Sequence, residues 1–196
     1  MRVLQVRCPQ CSRPIYSKMK DIVFYCDNCQ TMHIRNGQTK VLDYEIADYV
    51  RNATSDKKFM PFWRVWCNFS IHDSKISGGS FAKLAEFIRG ENGAGSIFMF
   101  IPASELDVGT FKHLAMELTL NPPRYSTRLD FGEVARLPLK LSNEEAEEVA
   151  DFIFVTIQAD KPGVLQKLDY SLTCRDAKLV YLPFIMTQGG PKPSWK

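Results

Sequence analysis

The chain has 196 residues, a formal net charge of +3, 45% hydrophobic residues and 24% charged residues, which is ordinary for a globular protein. No run approaches the roughly 18–20 apolar residues of a membrane helix, and the N-terminal MRVLQVRCPQC lacks the apolar core of a secretory signal. The sequence therefore predicts a cytoplasmic protein without an integral membrane segment, built from one medium domain and a small N-terminal module.

Two Cys-x-x-Cys pairs near the N-terminus predict a metal site. Cys8 and Cys11 lie in CPQC, Cys26 and Cys29 lie in CDNC, and fourteen residues separate the pairs. Two close pairs bring four thiolates onto one ion, and the spacer has the length of a β-hairpin. The predicted cofactor is Zn²⁺ in a closed tetrahedral site.

The spacer SRPIYSKMKDIVFY completes the pattern of a metal-binding hairpin. Ile15–Tyr16 and Ile22–Tyr25 predict two short strands joined at residues 17–20. With a turn at each cysteine pair, roughly the first 35 residues resemble a zinc ribbon. The resemblance implies a metal-stabilised module that binds nucleic acid, braces a larger assembly or presents a rigid surface to another protein.

Iron in a rubredoxin-like site, which would make the chain an electron carrier, is the alternative. Rubredoxin-type turns usually carry a glycine after the second cysteine of each pair, whereas this chain has Ser12 and Gln30 there. This difference favours zinc. His33 lies four residues beyond Cys29, but four cysteines already complete a tetrahedral shell, so we expect His33 to be a surface residue.

The charge is concentrated in the N-terminal module. Residues 1–40 carry seven basic and two acidic side chains, a net +5, and the rest of the chain carries a net −2. A basic module favours an acidic partner, either nucleic acid or an acidic protein face. Metal-bound thiolates offset part of this charge, so ordinary solvated basic residues are the competing explanation.

Strands and helices are interspersed in the rest of the chain. FMPFWRVWCNFSI (59–71) predicts a strand, and Ile97–Ile101 predicts a buried strand that Pro102 stops. Lys167–Thr173 and Lys178–Met186 predict a β-hairpin. Helices are predicted over Ser80–Arg89, from Asp107 to Leu118, and from Ser142, where Ser142-x-x-Glu145 forms a capping box.

These elements predict an α+β fold with a zinc ribbon over 1–40, a mixed α+β domain over 41–187 and a tail over 188–196. The tail has linker composition, and such termini are normally disordered. LDYEI with Met60-Pro61-Phe62, and LDYSL with Leu182-Pro183-Phe184, suggest two related halves; chance similarity is the alternative. The segments MPFWRVW, FIPAS and VYLPF are similar to those of uncharacterised prokaryotic zinc-ribbon proteins.

The chain is predicted not to be an enzyme. It has no G-x-G-x-x-G, Walker, G-x-S-x-G or H-E-x-x-H motif, and its histidines, His33, His72 and His113, are scattered. Nothing brings a nucleophile, a base and an orienting group together. Cys67 and Cys174 lie far apart in the sequence, and we expect them to be buried thiols.

The aromatic strand supplies the predicted partner contacts. Arg64 and Trp66 share one face of a strand and Trp63 lies on the other. If these side chains are exposed, they suit a protein-binding hot spot or the stacking of nucleic-acid bases. The alternative is that one face of the strand lies in the core and the aliphatic part of Arg64 covers the other. Together with Trp195, they predict an accessory or adaptor subunit of a cytoplasmic complex that docks another protein. A nucleic-acid-binding protein is the alternative function, and the rubredoxin-like carrier is the third.

Overall fold

A computed structural model describes residues 6–15, 21–36, 38–50, 56–77, 93–160 and 164–195. The helix predicted over Ser80–Arg89 and the turn at 17–20 lie outside these residues. The described part combines strands with helices, so the α+β class is confirmed.

Short antiparallel strands form the N-terminal module. β1 (Val6–Arg7) pairs with β2 (Pro14–Ile15). β3 (Val23–Cys26), β4 (Thr31–Asn36) and β5 (Gln38–Leu42) pair in that order. One cysteine pair lies between β1 and β2 and the other between β3 and β4, an arrangement that fits the predicted ribbon.

The larger sheet is built around two long strands. The remaining elements, in chain order, are β6 (Tyr44–Ala47), β7 (Lys57–Ser77), β8 (Ala94–Pro102), α1 (Val108–Leu120), β9 (Thr127–Arg128), β10 (Ala135–Arg136), α2 (Asn143–Ala159), β11 (Val164–Thr187) and β12 (Gly190–Pro193). β7 and β11 pair antiparallel along almost their whole length. β8 and β10 extend the sheet beyond β7, and β6 and β12 extend it beyond β11, with β9 next to β6.

β11 is one continuous strand where the sequence predicts a hairpin. Its pairing with β7 shifts register between Arg175 and Lys178, and Asp176 has a φ of +52°. This bulge absorbs one extra residue on β11 without reversing the strand. The polar segment that resembles a hairpin turn is therefore a bulge, and the hairpin prediction is wrong.

Both described helices match their predictions closely. Ser142 and Glu145 form the predicted capping box at the start of α2. Asp107 caps α1 by accepting a hydrogen bond from Thr110 N–H. α2 buries Ala146, Ala150 and Ile153 in the main core, and α1 lies along β8, where Thr119 Oγ1 accepts from Phe100 N–H at 3.0 Å.

The N-terminal module shares the main core. Val23 and Met32 are 0% exposed and belong to the same apolar cluster as Phe59 and Tyr181. The Tyr181 hydroxyl donates to Met32 Sδ at 3.6 Å, and Ile22 N–H donates to the Leu139 carbonyl at 3.1 Å. The module is thus packed on the larger sheet.

The C-terminal tail, predicted to be disordered, is folded onto the sheet in its described part. β12 pairs with the end of β11, and Trp195 forms a β-bridge with Tyr49. The indole of Trp195 lies 5.5 Å from the ring of Phe184. These contacts hold a segment whose composition alone is that of a linker.

The structure does not show two related halves. Pro61 and Pro183 lie near each other in the β7–β11 pairing, and Phe62 stacks on Phe184 at 5.8 Å. However, LDYEI lies largely in the separate short strand β6, whereas LDYSL lies inside β11 itself. The two similar motifs therefore occupy unlike positions in the sheet.

Cys67 and Cys174 form a disulfide that joins β7 to β11. The expectation of two separate thiols is wrong, although Cys67 is 0% exposed as predicted. The residues face each other across the strands with their Cα atoms 4.1 Å apart and are separated by 107 positions in the chain. The pairing of β7 with β11 brings the two cysteines together. Their long separation in the sequence gives no indication of this contact.

Candidate metal centre and contact surface

The sulfur atoms of Cys8, Cys11, Cys26 and Cys29 all lie within 4.8 Å of one another. The Cys8–Cys29 and Cys11–Cys26 sulfur distances are 3.6 and 3.5 Å. A tetrahedral ion with sulfur ligands at about 2.3 Å places the sulfurs about 3.8 Å apart. The predicted ligands are therefore brought together in an arrangement that could hold one metal ion.

Two matching turns position the cysteines. Ser12 N–H donates to the Cys8 carbonyl and Gln30 N–H donates to the Cys26 carbonyl, each at 2.8 Å. Ser12 and Gln30 have φ values of 59° and 56°. This left-handed conformation suits glycine best, which explains the usual glycine in such turns. Here serine and glutamine adopt it, so the departure from the rubredoxin pattern does not alter the turn.

The cysteines differ in burial and acidity. Cys8 and Cys26 are 1% and 3% exposed, whereas Cys11 and Cys29 are half-buried. A backbone hydrogen bond at Arg13 lowers the pKa of the Cys11 thiol to about 6, whereas burial raises the pKa of Cys26 to about 11. A bound cation would take all four as thiolates, and a four-thiolate shell leaves no open position for a substrate.

His33 lies in this centre and not on the surface as predicted. It is 1% exposed on β4, and its Nε2 lies 3.5 Å from Cys8 Sγ. Its Nδ1 is buried without a hydrogen-bond partner among the described residues. Burial lowers the pKa of His33. The sequence feature that could have indicated this position is the spacing of four residues between Cys29 and His33. After Cys29 the chain turns into β4, which pairs with β3 and so runs back beside the metal site.

The four residues predicted to contact a partner lie in different environments. Trp63 is 1% exposed, and its Nε1–H donates to the Leu141 carbonyl at 2.8 Å, so its side chain is inside the protein. Trp195 is half-buried against Phe184. Arg64 and Trp66 lie on the opposite face of β7 from Trp63, as the alternation predicts. Only this pair contributes to one surface.

Strand pairing adds residues to this pair that the sequence analysis missed. Phe98 on β8 and Arg175 on β11 lie directly opposite Trp66, one on each side. Phe98 is 42% exposed, and its ring lies 4.4 Å from that of Trp66. In the neighbouring row, Lys178 lies opposite Arg64. We call Arg64, Trp66, Phe98, Arg175 and Lys178 the contact surface.

Charge on the contact surface is only partly neutralised. Arg64 lies 3.3 Å from Glu45, and Lys178 lies 3.0 Å from Glu45 and 3.1 Å from Asp43. The Glu45 hydrogen bond raises the pKa of Lys178. Arg175 is exposed and makes no ion pair with any residue that the structure describes. An open depression of about 420 Å³ lies between Arg64, Phe98 and Lys178.

Comparison of the chain with protein-family models, curated proteins and solved structures finds no match. Among the described residues, no helix is both long enough and apolar enough to cross a membrane. The residues of the metal centre and of the contact surface are therefore the basis for a functional proposal.

Proposed function

We propose that this chain is a non-catalytic, zinc-binding accessory subunit that docks another protein through the contact surface. The observation that carries the proposal is the row of Phe98, Trp66 and Arg175 across three neighbouring strands. Tryptophan and arginine are enriched among the residues that dominate protein–protein binding energy. A half-exposed phenylalanine beside them adds apolar area that water would otherwise cover.

The metal centre has a structural role in this proposal. Zinc is supported by the four-sulfur donor set and by sulfur separations close to those of a tetrahedral shell. A closed shell offers no reaction site, but it holds the two turns together. Because Val23 and Met32 belong to the main core, the bound ion also stabilises the packing of the ribbon against the sheet.

The chemistry of the surface specifies its occupant. Trp66 and Phe98 offer two apolar rings in tilted contact, and Arg175 offers a charge that the described residues do not neutralise. The matching partner is a protein segment that places a carboxylate next to an apolar side chain. Arg64 and Lys178, already paired with acidic groups, would line the edge of such a contact.

Binding to an identified partner tests the docking role. The full chain is used to isolate co-eluting proteins, and the recombinant partner is then titrated by calorimetry. We expect Trp66→Ala and Phe98→Ala each to weaken binding roughly 10-fold or more, and Arg175→Glu to weaken it further. Phe152→Ala is the matched control, since Phe152 is a 63% exposed aromatic on α2, and it should leave affinity unchanged.

Three outcomes would contradict the docking role. The first is a partner that binds all three surface variants as tightly as the unmodified chain. The second is a chain that elutes with no partner. The third is binding of single-stranded oligonucleotides that weakens with salt and is lost in Trp66→Ala, because this would assign the surface to nucleic acid.

Elemental analysis tests the metal. We expect a colourless protein with one zinc ion per chain, and loss of that zinc when Cys26 is replaced by serine. A coloured protein containing stoichiometric iron would instead support the rubredoxin-like carrier.

A further inference from the structure

His33 lies next to one of the candidate metal ligands, Cys8. It lies within β4, where it pairs with Phe24 of β3 on one side and Val41 of β5 on the other. Its Nε2 is 3.5 Å from Cys8 Sγ, and both residues are 1% exposed. Water therefore has little access to the Cys8 sulfur, and the imidazole is its available polar neighbour on β4.

The chemistry of a metal-bound cysteine fixes the direction of this contact. A coordinated cysteine is a thiolate, which has no S–H and can only accept a hydrogen bond. A neutral imidazole carries its proton on only one nitrogen, and only that nitrogen can donate a hydrogen bond. The contact is therefore a hydrogen bond only when the proton is on Nε2. Nδ1 is then the bare nitrogen, which agrees with its lack of a hydrogen-bond partner among the described residues.

We propose that His33 is a positioning residue of the metal centre, whose Nε2–H donates to the Cys8 thiolate and fixes the orientation of that ligand. This inference rests on the metal binding proposed above. The hydrogen bond draws negative charge away from the sulfur, so Cys8 remains bound as a ligand and is a poorer nucleophile. Residues that hydrogen-bond to metal ligands typically affect metal affinity about 10- to 100-fold.

Cys29 offers a comparison within the same centre. Thr31 Oγ1 lies 3.2 Å from Cys29 Sγ, but it also lies 3.2 Å from the Cys29 carbonyl, so its single proton has two acceptors. Cys29 is also half-buried. Removing the Thr31 hydroxyl should therefore affect the centre less than removing the His33 donor.

Variants of the full chain test the donor role. His33→Leu removes the donor, His33→Gln keeps an N–H at similar reach, and His113→Leu, at an exposed position of α1, is the control. Each variant is loaded with cobalt, whose sulfur-to-metal charge-transfer band reports the charge on the ligands. We expect His33→Leu to shift this band to longer wavelength and to weaken zinc binding about 10- to 100-fold in competition with a chelator. His33→Gln and His113→Leu should resemble the unmodified chain.

A measurement on the unmodified chain tests the same proposal without requiring that a His33 variant folds. Nitrogen chemical shifts of the ¹⁵N-labelled, cadmium-loaded protein identify the tautomer of His33, and we expect the proton on Nε2. A proton on Nδ1 would overturn the proposal, as would equal losses of zinc affinity in His33→Leu and His33→Gln. A chain that binds neither zinc nor cobalt would overturn the metal centre itself, which is a different failure.

Discussion

The carboxylate of Asp21 forms an ion pair with the guanidinium of Arg136 and so joins the N-terminal module to the larger sheet. The Asp21 side chain is 0% exposed and that of Arg136 is 11% exposed. Asp21 Oδ1 also accepts a hydrogen bond from Leu139 N–H at 3.1 Å. A charged group so deeply buried depends on its partner, because water cannot replace the lost contact.

Removing one member of this pair should cost much of the stability of the protein. We expect Arg136→Met to lower the free energy of unfolding by about 3–5 kcal/mol, measured by urea denaturation, because Asp21 keeps its buried charge. Lys167→Met breaks the ion pair with Asp73, whose side chains are 61% and 55% exposed, and should cost less than about 1 kcal/mol. Equal effects of the two substitutions would show that the Asp21 pair is not a buried anchor.

The two tryptophans of β7, Trp63 and Trp66, should differ in how much stability is lost when each is substituted. Trp63→Phe leaves the Leu141 carbonyl without its indole donor and should lower the free energy of unfolding by about 1–3 kcal/mol. Trp66→Phe keeps a ring against Phe98 at the surface and should have a smaller effect on stability. Chemical denaturation of the two variants compares them directly, and a larger loss for Trp66→Phe would contradict the assigned faces.

The Cys67–Cys174 disulfide should stabilise the protein by restricting the unfolded chain. A link across 107 positions predicts a loss of about 2–4 kcal/mol in the Cys67→Ala/Cys174→Ala variant. A phosphine reductant, with zinc present, should destabilise the unmodified chain and leave the variant unchanged. Because disulfides are rare in a reducing cytoplasm, peptide mapping of the isolated protein also tests the predicted location. Two free thiols in that map would contradict the bond.

Glu45 should make stability sensitive to acid. Burial acts to raise its pKa, but the hydrogen bond from Lys178 and the charge of Arg64 outweigh burial and hold the pKa below its usual value of 4.5. A carboxyl with a depressed pKa contributes stability above its unfolded pKa and loses it as the pH falls through the folded value. We therefore expect Glu45→Gln to be less stable at pH 7 and to lose less stability than the unmodified chain between about pH 5 and pH 3.

The exposed Glu133 provides the control for this substitution. Glu133→Gln, which removes an exposed carboxyl, should have the stability of the unmodified chain at pH 7. If Glu45→Gln also matched the unmodified chain at pH 7, the contacts of Glu45 with Arg64 and Lys178 would carry no net stability.

The features that the sequence predicts correctly depend on short-range patterns. The spacing of Cys8, Cys11, Cys26 and Cys29 brings four sulfurs together because each pair needs only a tight turn. The capping box of Ser142 and Glu145 is likewise complete within four residues. Local patterns of this kind can be recognised in the sequence even when the order of the strands in the sheet is not known.

The features that the sequence analysis missed depend on pairing between distant segments. The ring contact of Phe98 with Trp66 and the position of Arg175 follow from the order β8, β7, β11, which no local pattern specifies. The segment near Asp176 has the polar composition of a hairpin turn. Whether such a segment forms a turn or a bulge depends on the strand with which it pairs. The sequence analysis placed His33 on the surface because its burial comes from the packing of the whole N-terminal module.

The pairing of β7 with β11 also determines the order in which parts of the chain can fold during synthesis. The four cysteines of the candidate metal centre leave the ribosome close together, since Cys8 and Cys29 are only 21 positions apart, so metal can bind early, with local contacts alone. β7 must wait for a strand whose cysteine lies 107 positions further on, and Met32 waits for Tyr181, 149 positions away. During that interval the unpaired edge of β7 is open to other nascent chains, so translation speed and chaperone protection should influence the yield of folded protein.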